Sequence, residues 1–116
     1  MVEKGELVMY VNGRILPQSQ AAALMKGNEL FSEQGFYDNE RTFNGKIFRL
    51  RQHLERLYRS MDFAGINPVV TREEMESITL EVVEHNLPLL RPNGEFLVSQ
   101  LVSVAVVVVG VYQIFE

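Results

Sequence analysis

Two Asn-Gly dipeptides, Asn12-Gly13 and Asn44-Gly45, constrain this chain more than any other feature of it. A two-residue hairpin turn needs positive φ at its central positions, which asparagine tolerates and glycine adopts freely. Leu7–Val11 and Arg14–Pro17 flank the first dipeptide, and 35–43 and 46–50 flank the second. Each pair reads as two antiparallel strands around a turn. Pro17 lacks an amide proton and is placed to close the first ladder. An antiparallel sheet is therefore the expected framework.

The end of the chain points the same way. Phe96 to Phe115 carries no charge, a length close to that of a membrane helix. Ser99, Gln100, Ser103 and Gln113, the β-branched run Val106–Val109 and the lack of flanking Lys or Arg favour two buried strands instead, joined near Ala105 or Gly110. Between the two halves lie two helical patterns. Leu50, His53, Leu54, Leu57, Tyr58, Met61 and Ala64 recur at three- and four-residue spacing, predicting a helix over 51–64 that Gly65 ends. Thr71-Arg72-Glu73-Glu74 is a capping-box pattern that opens a second helix, with Met75, Ile78, Thr79, Val82 and Val83 on its buried face. Asn86 and Pro88 mark its end. Residues 18–30 fit a helical turn or an irregular loop equally well. The expected fold is α+β, an antiparallel sheet with two helices packed on one face.

With 116 residues, 47% of them apolar, the chain has the makings of one domain spanning 1–116. It contains no cysteine, which excludes disulfides and thiolate metal sites and suits the cytoplasm. A net charge of −4 argues against nucleic-acid binding. The N-terminal residues show no signal-peptide pattern, so neither secretion nor a membrane is expected.

Charge is concentrated unusually in 35–60, where Asp38 and Arg41 fall in the strand and Arg49, Arg51, Arg56 and Arg59 crowd the following helix. Arg56 stands beside the apolar stripe, three residues after His53. It is either a surface ion-pairing or snorkelling side chain, or a forked donor for a phosphate or carboxylate. Strand alternation puts Phe36, Asp38, Glu40 and Thr42 on one side, and Tyr37, Asn39, Arg41 and Phe43 on the other. The row Tyr37, Asn39, Arg41 is suited to one wall of a polar substrate pocket or to an exposed sheet face. His53 reads as a packed residue, and His85 as a helix-end residue. No His or acid pair shows metal-ligand spacing, so no metal site is expected. Lys4, Lys26 and Lys46 lie in polar or turn contexts that offer no desolvated amine for Schiff-base chemistry. No catalytic residue is assigned.

The succession of strand, Asn-Gly-Lys, Phe-Arg-Leu, then His-Leu-Glu-Arg-Leu and Ser resembles the N-terminal small domain of fold-type IV pyridoxal-phosphate enzymes. That family includes branched-chain and D-amino acid aminotransferases, amine transaminases and aminodeoxychorismate lyase. The opening YVNGRILPQSQAA is similar as well, so the likeness covers about Val8 to Asn86. It implies that Arg56 binds the cofactor phosphate, and that Tyr37, Asn39 and Arg41 lie at the substrate pocket. Asn39 stands where branched-chain enzymes have glycine, and Asp38 where the family has glutamate. Phe96-Leu97-Val98 and Ser103-Val104-Ala105 depart from the family's arginine-bearing patterns.

The resemblance further implies a homodimer. It also implies a C-terminal domain that carries the reactive lysine and the acid facing the pyridine nitrogen, neither found in this chain. Two expectations follow. The first is the small domain of an aminotransferase, or of a lyase of the same family, inactive by itself because it lacks the Schiff-base lysine. The second is a non-catalytic domain that self-associates or binds a partner through the uncharged strands at its C-terminal end.

Overall fold

The structure, a computed structural model, describes residues 5–31 and 35–115. Both Asn-Gly pairs form the anticipated turns. Asn12 and Gly13 have φ of 44° and 94°, and Asn44 and Gly45 have 53° and 78°. The first turn joins β1 (Val8–Val11) to β2 (Arg14–Pro17), and the second joins β3 (Phe36–Phe43) to a very short β4 (Lys46–Ile47). Glu95 secures the second turn by accepting from the Thr42 hydroxyl and from the amides of Asn44 (2.7 Å) and Gly45 (3.2 Å). These bonds hold the Glu95 carboxyl below its ordinary range.

β5 (Gly94–Val102) and β6 (Val107–Phe115) pair along their whole length, with Ser99 opposite Gly110. The turn between them lies at 103–106, so Gly110 is mid-strand rather than a joint. All six strands form one sheet in the order β2-β1-β6-β5-β3-β4. The uncharged segment thus occupies the centre of the sheet, and β2 and β4 are its edges. β5 lies between β6 and β3, and the outer edge of β6 pairs with β1 at Val108 and Val109.

Among the described residues, three α-helices accompany the sheet. α1 (Gln18–Met25) resolves the ambiguity of 18–30 and is followed by a 3-10 turn at Glu29–Phe31. α2 (Leu50–Phe63) buries Leu50, Leu54, Leu57 and Met61, and Gly65, at φ 75°, follows its end. α3 (Arg72–Asn86) carries the full capping box, with the Glu74 amide donating to Thr71 and the Thr71 amide to Glu74. α2 and α3 cover one sheet face through a core that includes Phe96, Val98, Val102, Val109 and Val111. α1 lies on the other face, where Ala21 packs with Met9, Val11, Leu16, Val106 and Val108. That third helix is the addition to the expected architecture, and it covers the β1–β2 side only. Among the described residues no helix is long and apolar enough to cross a membrane.

Candidate functional site

β3 carries polar side chains on both faces, and each face has its own surroundings. Phe36, Asp38, Glu40 and Thr42 turn toward α2, the last three buried. On α2, His53 and Arg56 flank the buried stripe and reach the same strand. Asp38 is the hub of the contact. Its carboxylate accepts from Arg56 Nη2 at 2.9 and 3.1 Å and from the Asn39 amide at 2.8 Å. His53 Nδ1 lies 3.3 Å from the same carboxylate and 3.4 Å from Arg56 Nη2. The Arg56 side chain is 62% exposed and Asp38 only 8%, so a solvated cation neutralises a buried acid.

Two residues further along β3, Glu40 enters the core. Gln100 Nε2 donates to Glu40 Oε1 and lies 3.3 Å from Thr79 Oγ1, which itself donates to the Met75 carbonyl at 2.8 Å. Glu40 Oε2 is buried with no hydrogen-bond partner and lies 3.9 Å from His53 Nδ1. Burial pushes the Glu40 carboxyl up to about 7, a rise opposed by the Gln100 hydrogen bond and reinforced by the Asp38 charge.

The opposite face of β3 bears the row Tyr37, Asn39, Arg41. Tyr37 is 71% exposed, and Asn39 is exposed too. Arg41 donates through Nε to the Thr42 carbonyl at 3.1 Å and stacks over Phe43, its Cζ 4.1 Å from the ring centroid. β5 sets Leu101, Ser99 and Leu97 beside these three, and β6 continues with Val108, Gly110 and Tyr112. The middle line, Asn39-Ser99-Gly110, is made of small or polar residues, flanked by Tyr37-Leu101-Val108 on one side and Arg41-Leu97-Tyr112 on the other. The Met9 side chain lies against Gly110, while Tyr37 and Asn39 face solvent.

The structure therefore brings Tyr37, Asn39 and Arg41 onto one face and sets Arg56 against the other, with β3 between them. Of the lysines, Lys26 and Lys46 are exposed, and Lys4 lies outside the described residues. Spacing along the chain showed no metal-ligand pair, yet the fold gathers Asp38, Glu40 and His53 with ligand atoms within 4.8 Å of one another. The period-two pair Asp38-x-Glu40 placed two acids on one face. Nothing in the sequence told which helical turn would meet them.

The fold is that of the small domain of branched-chain aminotransferases. The chain overlays a branched-chain aminotransferase from Thermoproteus uzoniensis solved with norvaline, with a TM-score of 0.69 and 22% identity, over 96% of this chain and 41% of that one. A T.th. branched-chain amino acid aminotransferase solved with pyridoxamine 5'-phosphate gives a TM-score of 0.67 and 21% identity, again over 96% and 41%. The family model described as "Amino-transferase class IV" matches residues 35–94. This chain belongs to that family. A D-alanine aminotransferase from Bacillus licheniformis is 32% identical over 75 residues, 65% of this chain and 26% of the relative. The chain thus spans about a quarter of that curated relative's length.

Proposed function

We propose that this chain is the small domain of a pyridoxal-phosphate-dependent class IV aminotransferase, which moves an amino group between an amino acid or amine and a 2-oxo acid. The observation that carries the reading is Arg56: an exposed guanidinium anchored at one nitrogen by buried Asp38, inside the family-matched segment. Such an anchor fixes the fork while leaving its other donors toward solvent, an arrangement suited to an oxyanion such as a phosphate ester. The donors present fit the phosphate end of the cofactor. When bound, the cofactor supplies the electron sink for the reaction. Arg56 holds the phosphate, and Asp38 with the Asn39 amide keeps the arginine oriented. Tyr37, Asn39 and Arg41 form the substrate-facing wall, where Tyr37 excludes water and Arg41 adds positive charge. A lysine-bearing second domain completes the site in the working enzyme, and two copies pair as a homodimer in the cytoplasm.

The test has two arms. The coding sequence downstream is read for a lysine-bearing domain in frame, and the complete product is assayed for amino transfer from branched-chain and D-amino acids to 2-oxo acids. Arg56→Ala is expected to weaken pyridoxal-phosphate binding in that product by about tenfold or more. Unchanged cofactor affinity in this variant overturns the assignment of Arg56, and a complete product without transfer activity overturns the function.

A further inference from the structure

Beside the Arg56 anchor, Glu40 and His53 extend the Asp38 site with two groups to which amino transfer assigns no role. Asp38 and Glu40 project from the same face of β3, and His53 meets them from the first turns of α2. His53 Nδ1 lies 3.3 Å from Asp38 Oδ1 and 3.9 Å from Glu40 Oε2, with all three ligand atoms within 4.8 Å. Around a four-coordinate zinc, ligand bonds of about 2.0–2.1 Å put neighbouring donor atoms roughly 3.3–3.5 Å apart. The His53–Asp38 pair already stands at that spacing, and Glu40 lies within reach of a small side-chain shift.

An independent observation singles the cluster out from an ordinary group of acids. Glu40 is 5% exposed, and its Oε2 has no hydrogen-bond partner while facing the His53 nitrogen. A buried carboxylate oxygen that no protein donor satisfies is costly, and a cation is what such an oxygen accepts. Gln100 holds the other oxygen, so the carboxylate is aimed rather than free to turn. Leu50, Leu54 and Leu57 bury α2 against the core and fix His53 over the strand.

We propose that Asp38, Glu40 and His53 bind one divalent transition-metal cation, with zinc the best match. Two carboxylates and an imidazole select zinc or manganese over calcium, which takes six or more oxygen ligands. His53, a quarter exposed, lies on the path by which the ion enters. Arg56 is the competitor. Its Nη2 now occupies Asp38, and an ion on that oxygen displaces it toward solvent, where most of its side chain already lies.

That competition provides a test which an adventitious surface site does not pass. The chain is stripped with EDTA and titrated with ZnCl2 by calorimetry in phosphate-free buffer, with no pyridoxal phosphate present. One equivalent is expected to bind. His53→Gln weakens binding by about tenfold or more, while Arg56→Ala strengthens it. Glu40→Gln, which keeps the side chain's shape, weakens binding as His53→Gln does. His85→Gln, at the exposed end of α3, leaves it unchanged, and circular dichroism verifies the fold of each variant. Absence of one-to-one binding, equal affinity in His53→Gln, or weaker binding in Arg56→Ala each overturns the site. None of these readouts involves the cofactor, so failure here is separate from failure of the aminotransferase reading.

Discussion

Arg56 Nη2 stands 2.9 Å from Asp38 Oδ1, and the two partners occupy different media: one side chain is 62% exposed, the other 8%. The pair is consequently asymmetric. Removing the arginine strands a buried charge, whereas neutralising the acid leaves a cation that water can solvate. Arg56→Ala should destabilise the fold by about 1–2 kcal/mol and Asp38→Asn by about 1 kcal/mol or less, as read from urea denaturation midpoints. Equal losses would show that the carboxylate is better solvated than its burial indicates.

Glu40 gives the stability a pH dependence of unusual sign for an acid. Its carboxyl is raised from 4.5 to about 7 by burial, so between these values the folded chain binds more protons than the unfolded one. The Glu40 contribution is therefore least unfavourable below pH 4.5 and grows more unfavourable as pH rises to about 7. At neutral pH it opposes folding by on the order of 3 kcal/mol. With a chelator present, Glu40→Gln should flatten the slope between pH 5 and 7, measured by chemical denaturation across about two pH units. An unchanged slope would assign it to another group.

Asn86 joins the last turn of α3 to the first strand. Its side chain accepts from the Val8 amide at 2.8 Å and donates to the carbonyls of Val8 (3.0 Å) and Val82 (2.8 Å). Asn86→Ala should cost about 2–4 kcal/mol, because the Val8 groups are left without their partner in a partly buried position. Asn86→Asp keeps the acceptor and loses the donors, and an intermediate loss in thermal unfolding is the expected result.

The capping box of α3 is separable from the core. Thr71→Ala removes the acceptor for the Glu74 amide and should cost about 1 kcal/mol in denaturant melts. The neighbouring Tyr58 hydroxyl donates to the Val70 carbonyl at 2.9 Å, and its burial raises the phenol's pKa. Tyr58 should then resist ionisation in an alkaline ultraviolet titration carried through the ordinary phenol range.

Much of this fold was legible because its signals are local. Asn12-Gly13 and Asn44-Gly45 require positive φ, and Thr71 with Glu74 states a helix start, whatever the rest of the chain does. α1 was not legible. Its run of alanines carries no apolar stripe, and only the sheet face beneath Ala21 makes it a helix. The family resemblance picked out Arg56 and the row Tyr37, Asn39, Arg41, but alternation alone could not say that β3 separates them. Asp38, Glu40 and His53 stayed hidden for a related reason. Ligand spacing along a chain registers residues on one element, and this cluster exists only where a particular turn of α2 crosses β3.

The strand order has a consequence for how the chain is made. Tyr10 pairs with Val109 and Val11 with Val108, so the first hairpin has its sheet neighbour only in the last strand. A ribosome releases Val8–Pro17 long before it has synthesised Val107–Phe115. During that interval Met9, Val11 and Leu16 have no β6 to lie against, and contacts so distant in sequence form slowly. Until β6 is made, α1, which follows β2 directly, is the element available to cover Met9, Val11 and Leu16, through Ala21.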